Sequence, residues 1–165
     1  MIVSSYKYEK PKTLSALLEL NAQEGTKLLA GGTDILLLLK EDRIDPATVA
    51  DIKGVPELRG ICPIEGGIFI GAAETVQDVV EHPLAQPYHA LVEGAGHIGC
   101  YEIRHRATIG GNICNGSASA DSVPGLLLYN AKALLVGLDG ERELPLERFL
   151  LGPGKVDLRP GEVLK

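Results

Sequence analysis

Two glycine pairs are the places where this chain could do chemistry: Gly31-Gly32 in "KLLAGGTDILLLLK", Lys27 to Lys40, and Gly110-Gly111 in "RATIGGNICNGSASADSVP", Arg106 to Pro124. The second stretch is small and polar throughout, adding Gly116 to Thr108, Asn112, Asn115, Ser117, Ser119 and Asp121. Glycine permits positive φ and lets backbone N–H groups approach a ligand, while a helix N-terminus supplies unpaired donors and a positive dipole end. A diphosphate is the anion such loops suit, although a plain turn also explains either pair alone. Neither stretch matches the G-x-x-x-x-G-K-[ST] or G-x-G-x-x-G fingerprints. Asp34 can cap the helix that follows it, leaving the amides of Gly31, Gly32 and Thr33 for an anion, or cap it with no ligand nearby. Asp121 has a similar choice between capping the helix that carries Pro124 and accepting from a ligand hydroxyl.

Other chemistries find little support. Cys62, Cys100 and Cys114 are odd in number and lack C-x-x-C spacing, so neither a disulfide framework nor a zinc or iron–sulfur site is suggested. His82, His89, His97 and His105 form no H-E-x-x-H pattern and read as surface or hydrogen-bonded histidines. A net charge of −6 without a basic run argues against nucleic-acid or membrane-surface partners. The apolar run Ile35 to Leu39 is far short of the roughly 20 residues that span a bilayer, and the N-terminus has no signal-peptide core, so a cytoplasmic protein is expected.

The elements that must position the glycine pairs can be read from periodicity. Leu14, Leu17 and Leu18 recur at helical spacing between Thr13 and Gly25, Lys27 to Ala30 reads as a short buried strand, and Ile35 to Lys40 as the start of a second helix. With a strand at Ala47 to Ile52 and an extended piece near Ile2 to Tyr6, residues 1–55 form an α/β lobe whose alternation favours parallel pairing. Gly and Pro accumulate across Lys53 to Ile61, and a second α/β lobe, residues 56–165, is expected beyond them. It should contain a strand at Gly66 to Ala72, a helix opened by Thr75 and Asp78 at capping-box spacing, a longer helix over Leu84 to Ala95, a helix at Asp121 to Ala131 and a strand at "KALLVG". The chain ends at Val163-Leu164-Lys165, which looks like a strand cut short and is expected to present an apolar interaction surface.

Taken together and in order, "LLAGGTDILL", "LRGI", "IGAAETVQDV", "IRHRATIGGNICNGSASADSVPGLLLYNAKALL" and "GPGKVDLRPGEVL" resemble the FAD-binding (medium) subunit of the molybdenum hydroxylases, the xanthine dehydrogenase family, and most of all its bacterial xanthine dehydrogenase members. The pair AGGTD plus TIGGNICN is far more specific than either motif alone. The resemblance implies a PCMH-type, vanillyl-alcohol-oxidase-like FAD domain of two α/β lobes with the dinucleotide between them, here without the family's usual C-terminal domain. It also implies FAD contacts. Lys27, Leu29, Ala30, Gly31, Gly32, Thr33 and Asp34 correspond to the loop that wraps the pyrophosphate. Thr108, Gly110, Gly111, Asn112, Cys114, Ser117 and Asp121 correspond to the loop from the other lobe, and Ile98 and Leu158 to the apolar neighbours of the flavin.

By the same resemblance the chain is an oxidoreductase subunit of a heteromeric complex. A molybdopterin-binding large subunit oxidises the substrate, a small subunit with [2Fe-2S] clusters relays the electrons, and this flavoprotein passes them to NAD+ or another acceptor. No catalytic acid, base or nucleophile and no metal ligand is implied on this chain. An assembly module of such a complex, with weak FAD binding or none, is the alternative. The stretch Gly99 to Glu102, "GCYE", departs from the family's small-residue and Pro-Gln context and leaves the acceptor open.

Overall fold

The computed structural model describes residues 5–165, so Ile2 to Ser4 of the expected N-terminal extended piece lie outside the described residues. Lys7–Glu9 (β1), Thr26–Leu29 (β2) and Thr48–Asp51 (β3) form a parallel sheet in the order β1-β3-β2. Parallel neighbours need crossovers, and two helices supply them. Leu14–Asn21 (α1) starts where the Thr13 hydroxyl accepts from the Ala16 N–H and buries Leu17 and Leu18; Ile35–Lys40 (α2) follows directly on the first glycine pair.

Beyond β3, two short 3₁₀ turns lead into an antiparallel hairpin, Ile61–Ile64 (β4) and Gly67–Ile70 (β5). The capping box of Thr75 and Asp78 opens Val76–Glu81 (α3), as its spacing predicts. The longer helix expected over Leu84 to Ala95 is shortened to His89–Gly96 (α4). Pro87 lacks a donor and disfavours helical backbone at Gln86, so the preceding residues fold as turns with Ala85 donating to His82 O and Tyr88 to Ala85 O. Tyr101–Arg104 (α5), Ile109–Cys114 (α6) and Ser122–Leu128 (α7) complete the helical layer; α6 occupies what reads in the sequence as a glycine loop. Lys132–Gly137 (β6) pairs with Gly140–Pro145 (β7), and Leu146–Phe149 (α8) leads to a small hairpin of Leu150–Gly152 (β8) and Lys155–Val156 (β9).

The last strand, Val163–Leu164 (β10), returns antiparallel to β6, with the Lys165 N–H donating to Leu134 O. Val163 is 2% exposed, which corrects the expectation of an apolar interaction surface there: pairing with β6 turns its side chain inward. Val163 and Val136 pack with Leu17 and Leu18 of α1 and with Val55 and Leu58, so the residues on the two sides of position 55 share one apolar cluster. A second cluster, around Val79, Leu91, Ile109, Leu126, Leu135 and Phe149, is built from residues beyond that position. Because Leu17 is fully buried in the shared cluster, Leu17→Ala is expected to destabilise the protein by about 2–5 kcal/mol and to leave one cooperative transition in denaturant followed by circular dichroism. Two separated transitions would contradict a shared core.

Candidate functional site

A cleft of about 1470 Å³ is lined by the turn between β2 and α2, by α6 and by the segment around Leu158. Its volume exceeds the roughly 300–1,000 Å³ of ordinary small-ligand pockets and suits an extended dinucleotide. From the first glycine stretch, Lys27, Ala30, Gly31, Gly32, Thr33 and Asp34 line it; from the second, Thr108, Gly110, Gly111, Asn112, Cys114 and Ser117. Ile98 and Leu158 stand in the same wall, and Asn115, Ile103 and Arg142, which the sequence reading did not place at the site, join them. Leu29 and Asp121 are not brought to the cleft. The alternation of β2 turns Leu29 into a cluster with Leu39 and Val49, and Asp121 is exposed beside α7, where it caps nothing with its side chain.

The two glycine pairs do different work. Between β2 and α2, the N–H groups of Gly31, Gly32, Thr33 and Asp34 donate to no acceptor among the described residues. Gly32 sits at φ +84°, a conformation that side chains resist, and so sustains the turn that presents these amides. Gly31 has another reason: a Cβ there would lie 2.2 Å from Arg106 O and 2.8 Å from Ala107 Cα. Its missing side chain lets the first loop rest on the backbone of the second.

Gly110 and Gly111 are helical rather than left-handed, and their amides are already used. Gly110 N–H donates to Ala72 O at 3.0 Å and Gly111 N–H to the Thr108 hydroxyl at 3.0 Å. Thr108 is therefore the cap of α6. A Cβ on Gly110 would meet Ala72 at 2.5 Å, so this glycine serves close packing, and Gly111 leaves room beside Ala30, 3.6 Å from where its own Cβ would be. The expectation that both pairs offer free amides is corrected here: only the first does. Asn112 lines the cleft, its side-chain Oδ1 accepting from the buried Ser122 hydroxyl at 2.6 Å, and its NH₂ has no acceptor among the described residues.

Asp34 also differs from the expected cap. Its backbone is already helical, at φ −105° and ψ −53°, and it makes no capping bond; its carboxylate accepts from the Thr33 hydroxyl at 3.2 Å and from Asn115 Nδ2 at 3.4 Å across the cleft. A carboxylate engaged by Asn115 links the two walls.

Two cations hold the remaining walls, Arg104 from outside the cleft lining and Arg142 from within it. Arg104 Nη1 donates to Ile98 O at 3.3 Å while its Nε donates to Gln77 Oε1 at 2.8 Å, fixing the carbonyl at Ile98 just before Gly99 to Glu102. In that stretch Tyr101 is exposed and edge-on to His105, and the Glu102 carboxyl is held below its usual range by its own backbone N–H and then by the Cys100 side chain. Arg142 makes two 2.7 Å bonds to the Glu162 carboxylate and one of 2.7 Å to Asp157 O, next to Leu158. The Glu162 and Asp157 acceptors raise the Arg142 guanidinium further, and Arg142 in turn lowers the Glu162 carboxyl. The contact is thus present at neutral pH and is lost only as acid protonates Glu162. Cys114 is half-buried, and burial pushes its thiol up to about 12, so it meets the cleft as a small neutral group. No cluster of side chains that could hold a metal ion occurs among the described residues, and no helix there is long and apolar enough to cross a membrane.

Comparisons with known proteins identify the family. Residues 4–165 match the family described as the FAD binding domain in molybdopterin dehydrogenase. The chain is 41% identical over 160 residues to a xanthine dehydrogenase FAD-binding subunit of Escherichia coli O157:H7, covering 95% of this chain and 55% of that protein. It is 34% identical over 167 residues to the carbon monoxide dehydrogenase medium chain of Hydrogenophaga pseudoflava, covering 99% and 58%. Among solved structures, quinoline 2-oxidoreductase from Pseudomonas putida 86 superposes with a TM-score of 0.94 at 25% identity, and carbon monoxide dehydrogenase from Hydrogenophaga pseudoflava with 0.93 at 32%, each covering 99% of this chain and 58% of the other. The chain thus spans a little over half the length of each of these proteins. It belongs to the family of FAD-binding domains of molybdopterin dehydrogenases.

Proposed function

We propose that this chain is the FAD-carrying, electron-transferring part of a xanthine-dehydrogenase-like molybdenum hydroxylase, with the cofactor's diphosphate on the first glycine loop. The observation that carries the placement is the run of four amides without acceptors in the wall of a cleft large enough for a dinucleotide. Residues 1–55 and 56–165 are then the two lobes that enclose the cofactor. Gly31, Gly32, Thr33 and Asp34 give their N–H groups to the diphosphate, with Lys27 adding a positive charge at the entrance. Asn112 donates from the opposite wall, while Ile98, Cys114 and Leu158 supply apolar surface. Asp121 and Leu29 act at most through their neighbours.

When bound, FAD supplies the two-electron and one-electron chemistry that the side chains of this site lack. The chain's own residues bind it, orient it and keep water from its apolar faces. In this reading electrons arrive from [2Fe-2S] clusters on a small subunit, after a molybdopterin-binding large subunit has oxidised the substrate, and leave for NAD+ or another acceptor. Tyr101 and Glu102, exposed near Ile98, are the residues through which acceptor choice would be expressed.

The test is the visible spectrum of the purified protein before and after titration with FAD, followed by denaturation and identification of the released cofactor. Stoichiometric FAD is expected; none at saturating FAD would contradict the proposal and favour an assembly role. Gly32→Val, which forces a β-branched residue into φ +84° and displaces the amide run, is expected to weaken FAD by more than roughly a hundredfold with the far-ultraviolet spectrum retained. Retained stoichiometric FAD in that variant would remove the first loop from the site. With a thiol near pKa 12, Cys114 is only about one part in ten thousand thiolate at pH 8. Iodoacetamide followed by peptide mass spectrometry should therefore modify the exposed Cys62 and Cys100 well before Cys114. Equal labelling would show a reactive thiol.

A further inference from the structure

Behind the first glycine loop lies a group of polar side chains that take no part in lining the cleft. Asp51, at the end of β3, is 3% exposed, and its carboxylate is fully engaged. Oδ1 accepts from Lys53 Nζ at 2.8 Å and from the Lys53 N–H at 3.0 Å, and Oδ2 from the Tyr8 hydroxyl at 2.5 Å. Burial works to raise this carboxyl, but the hydrogen bonds from Lys53 and Tyr8 outweigh it and hold it below the usual carboxylate range. The same Lys53 ammonium donates to Ala30 O at 2.7 Å, across 23 positions of sequence.

We propose that Lys53 is a positioning residue for the anion cradle: seated between the Asp51 carboxylate and the Ala30 carbonyl, it sets the plane of the Ala30–Gly31 peptide and so aims the Gly31 N–H into the cleft. The inference rests on the reading that the first loop receives the diphosphate. Ala30 and Gly31 line the cleft and Lys53 does not, so the Ala30 carbonyl is drawn away from the ligand side. The peptides of the described chain are all trans, and in a trans peptide the N–H points opposite to the C=O. Pulling the carbonyl back therefore presents the amide forward. Lys53 acts by geometry rather than by field, because its charge is matched by Asp51 at 2.8 Å and the two together add little net potential at the cleft. Tyr8 completes the device by fixing the second carboxylate oxygen, so the anchor stays in one orientation.

The experiment measures FAD and riboflavin dissociation constants by flavin fluorescence for the wild-type protein and for Lys53→Met, together with the ³¹P spectrum of bound FAD. Riboflavin has the flavin ring but no phosphate, so a defect in the diphosphate cradle separates the two ligands. Lys53→Met is expected to weaken FAD by roughly tenfold to a hundredfold, the loss of one to two well-placed hydrogen bonds, to change riboflavin by less than about threefold, and to shift the ³¹P resonances at saturation. Lys53→Met leaves Asp51 buried beside no cation and can fail to fold for that reason alone. The pair Asp51→Asn with Lys53→Met removes both charges and is expected to give the same separation. Equal loss of FAD and riboflavin in the folded variant would show a merely structural lysine, and unchanged FAD binding with unchanged ³¹P shifts would also overturn the inference; either leaves the FAD site standing. A wild-type protein that binds neither FAD nor ADP would instead overturn the diphosphate site and this inference with it.

Discussion

Residue 31 cannot carry a side chain, because a Cβ there would fall 2.2 Å from the carbonyl oxygen of Arg106. This backbone-to-backbone contact is the constraint on which the cleft depends, since it seats the turn after β2 directly on the segment that leads into α6. That segment is itself fixed: Val76 N–H donates to Ala107 O at 2.8 Å, Ile109 N–H to Glu74 O at 3.0 Å, and Thr75 and Thr108 form a bridge. The capping box of α3 and the cap of α6 thus meet at one place. The parallel sheet on one side and the helical layer on the other are brought into register there, and the shared packing of Leu17, Val136 and Val163 closes the molecule on the far side.

Within that frame the two glycine pairs differ: the first has amides without acceptors among the described residues, and the second serves close packing. A protein that used both for anion binding would need free amides in both, and α6 has none to spare in its first turn: Ile109, Gly110, Gly111 and Asn112 all donate to protein acceptors. The amides of Gly31, Gly32, Thr33 and Asp34 precede α2 and have no acceptor among the described residues, while the Asp34 carboxylate accepts from Asn115. An anion in the cleft would meet donors that no protein acceptor already occupies.

Much of this arrangement was legible in the sequence, and the rest was not for identifiable reasons. The parallel sheet followed from strands alternating with helices, and the helix after Thr75 from the spacing of Thr75 and Asp78, because both signals are local. The motif pair AGGTD and TIGGNICN pointed to one site. Yet glycine's two uses, positive φ and the absence of Cβ, look identical in sequence, so Gly110 and Gly111 were read as a loop when they pack a helix against Ala72. Leu29 and Asp121 travelled with their motifs although strand alternation and the placement of α7 turn them elsewhere. The helix at Leu84 to Ala95 was drawn too long because Pro87 was weighed less than the apolar periodicity around it. Lys53, Arg104 and Arg142 gave no signal, since each acts on a backbone carbonyl and a carbonyl has no sequence identity.

Those three cations suggest how a cleft walled by backbone is kept in shape. Each donates to one carbonyl in or beside a cleft wall, Lys53 to Ala30 O, Arg104 to Ile98 O and Arg142 to Asp157 O, and each is itself steadied by a side chain: Asp51, Gln77 or Glu162. Backbone that binds a ligand cannot be fixed by its own side chains on the ligand side, and where it is glycine it has none to offer. Fixing must therefore come from other parts of the chain, by long, charged side chains that reach carbonyls and are restrained by a partner of opposite or complementary polarity, Lys53 and Arg104 from outside the cleft lining and Arg142 from within it. The consequence for sequence is a separation of constraints. For the cleft-facing backbone, the requirement is for small residues and particular φ values; for the groups that hold it, it is for a cation and its acceptor together, so that substitution of either leaves the other without its partner.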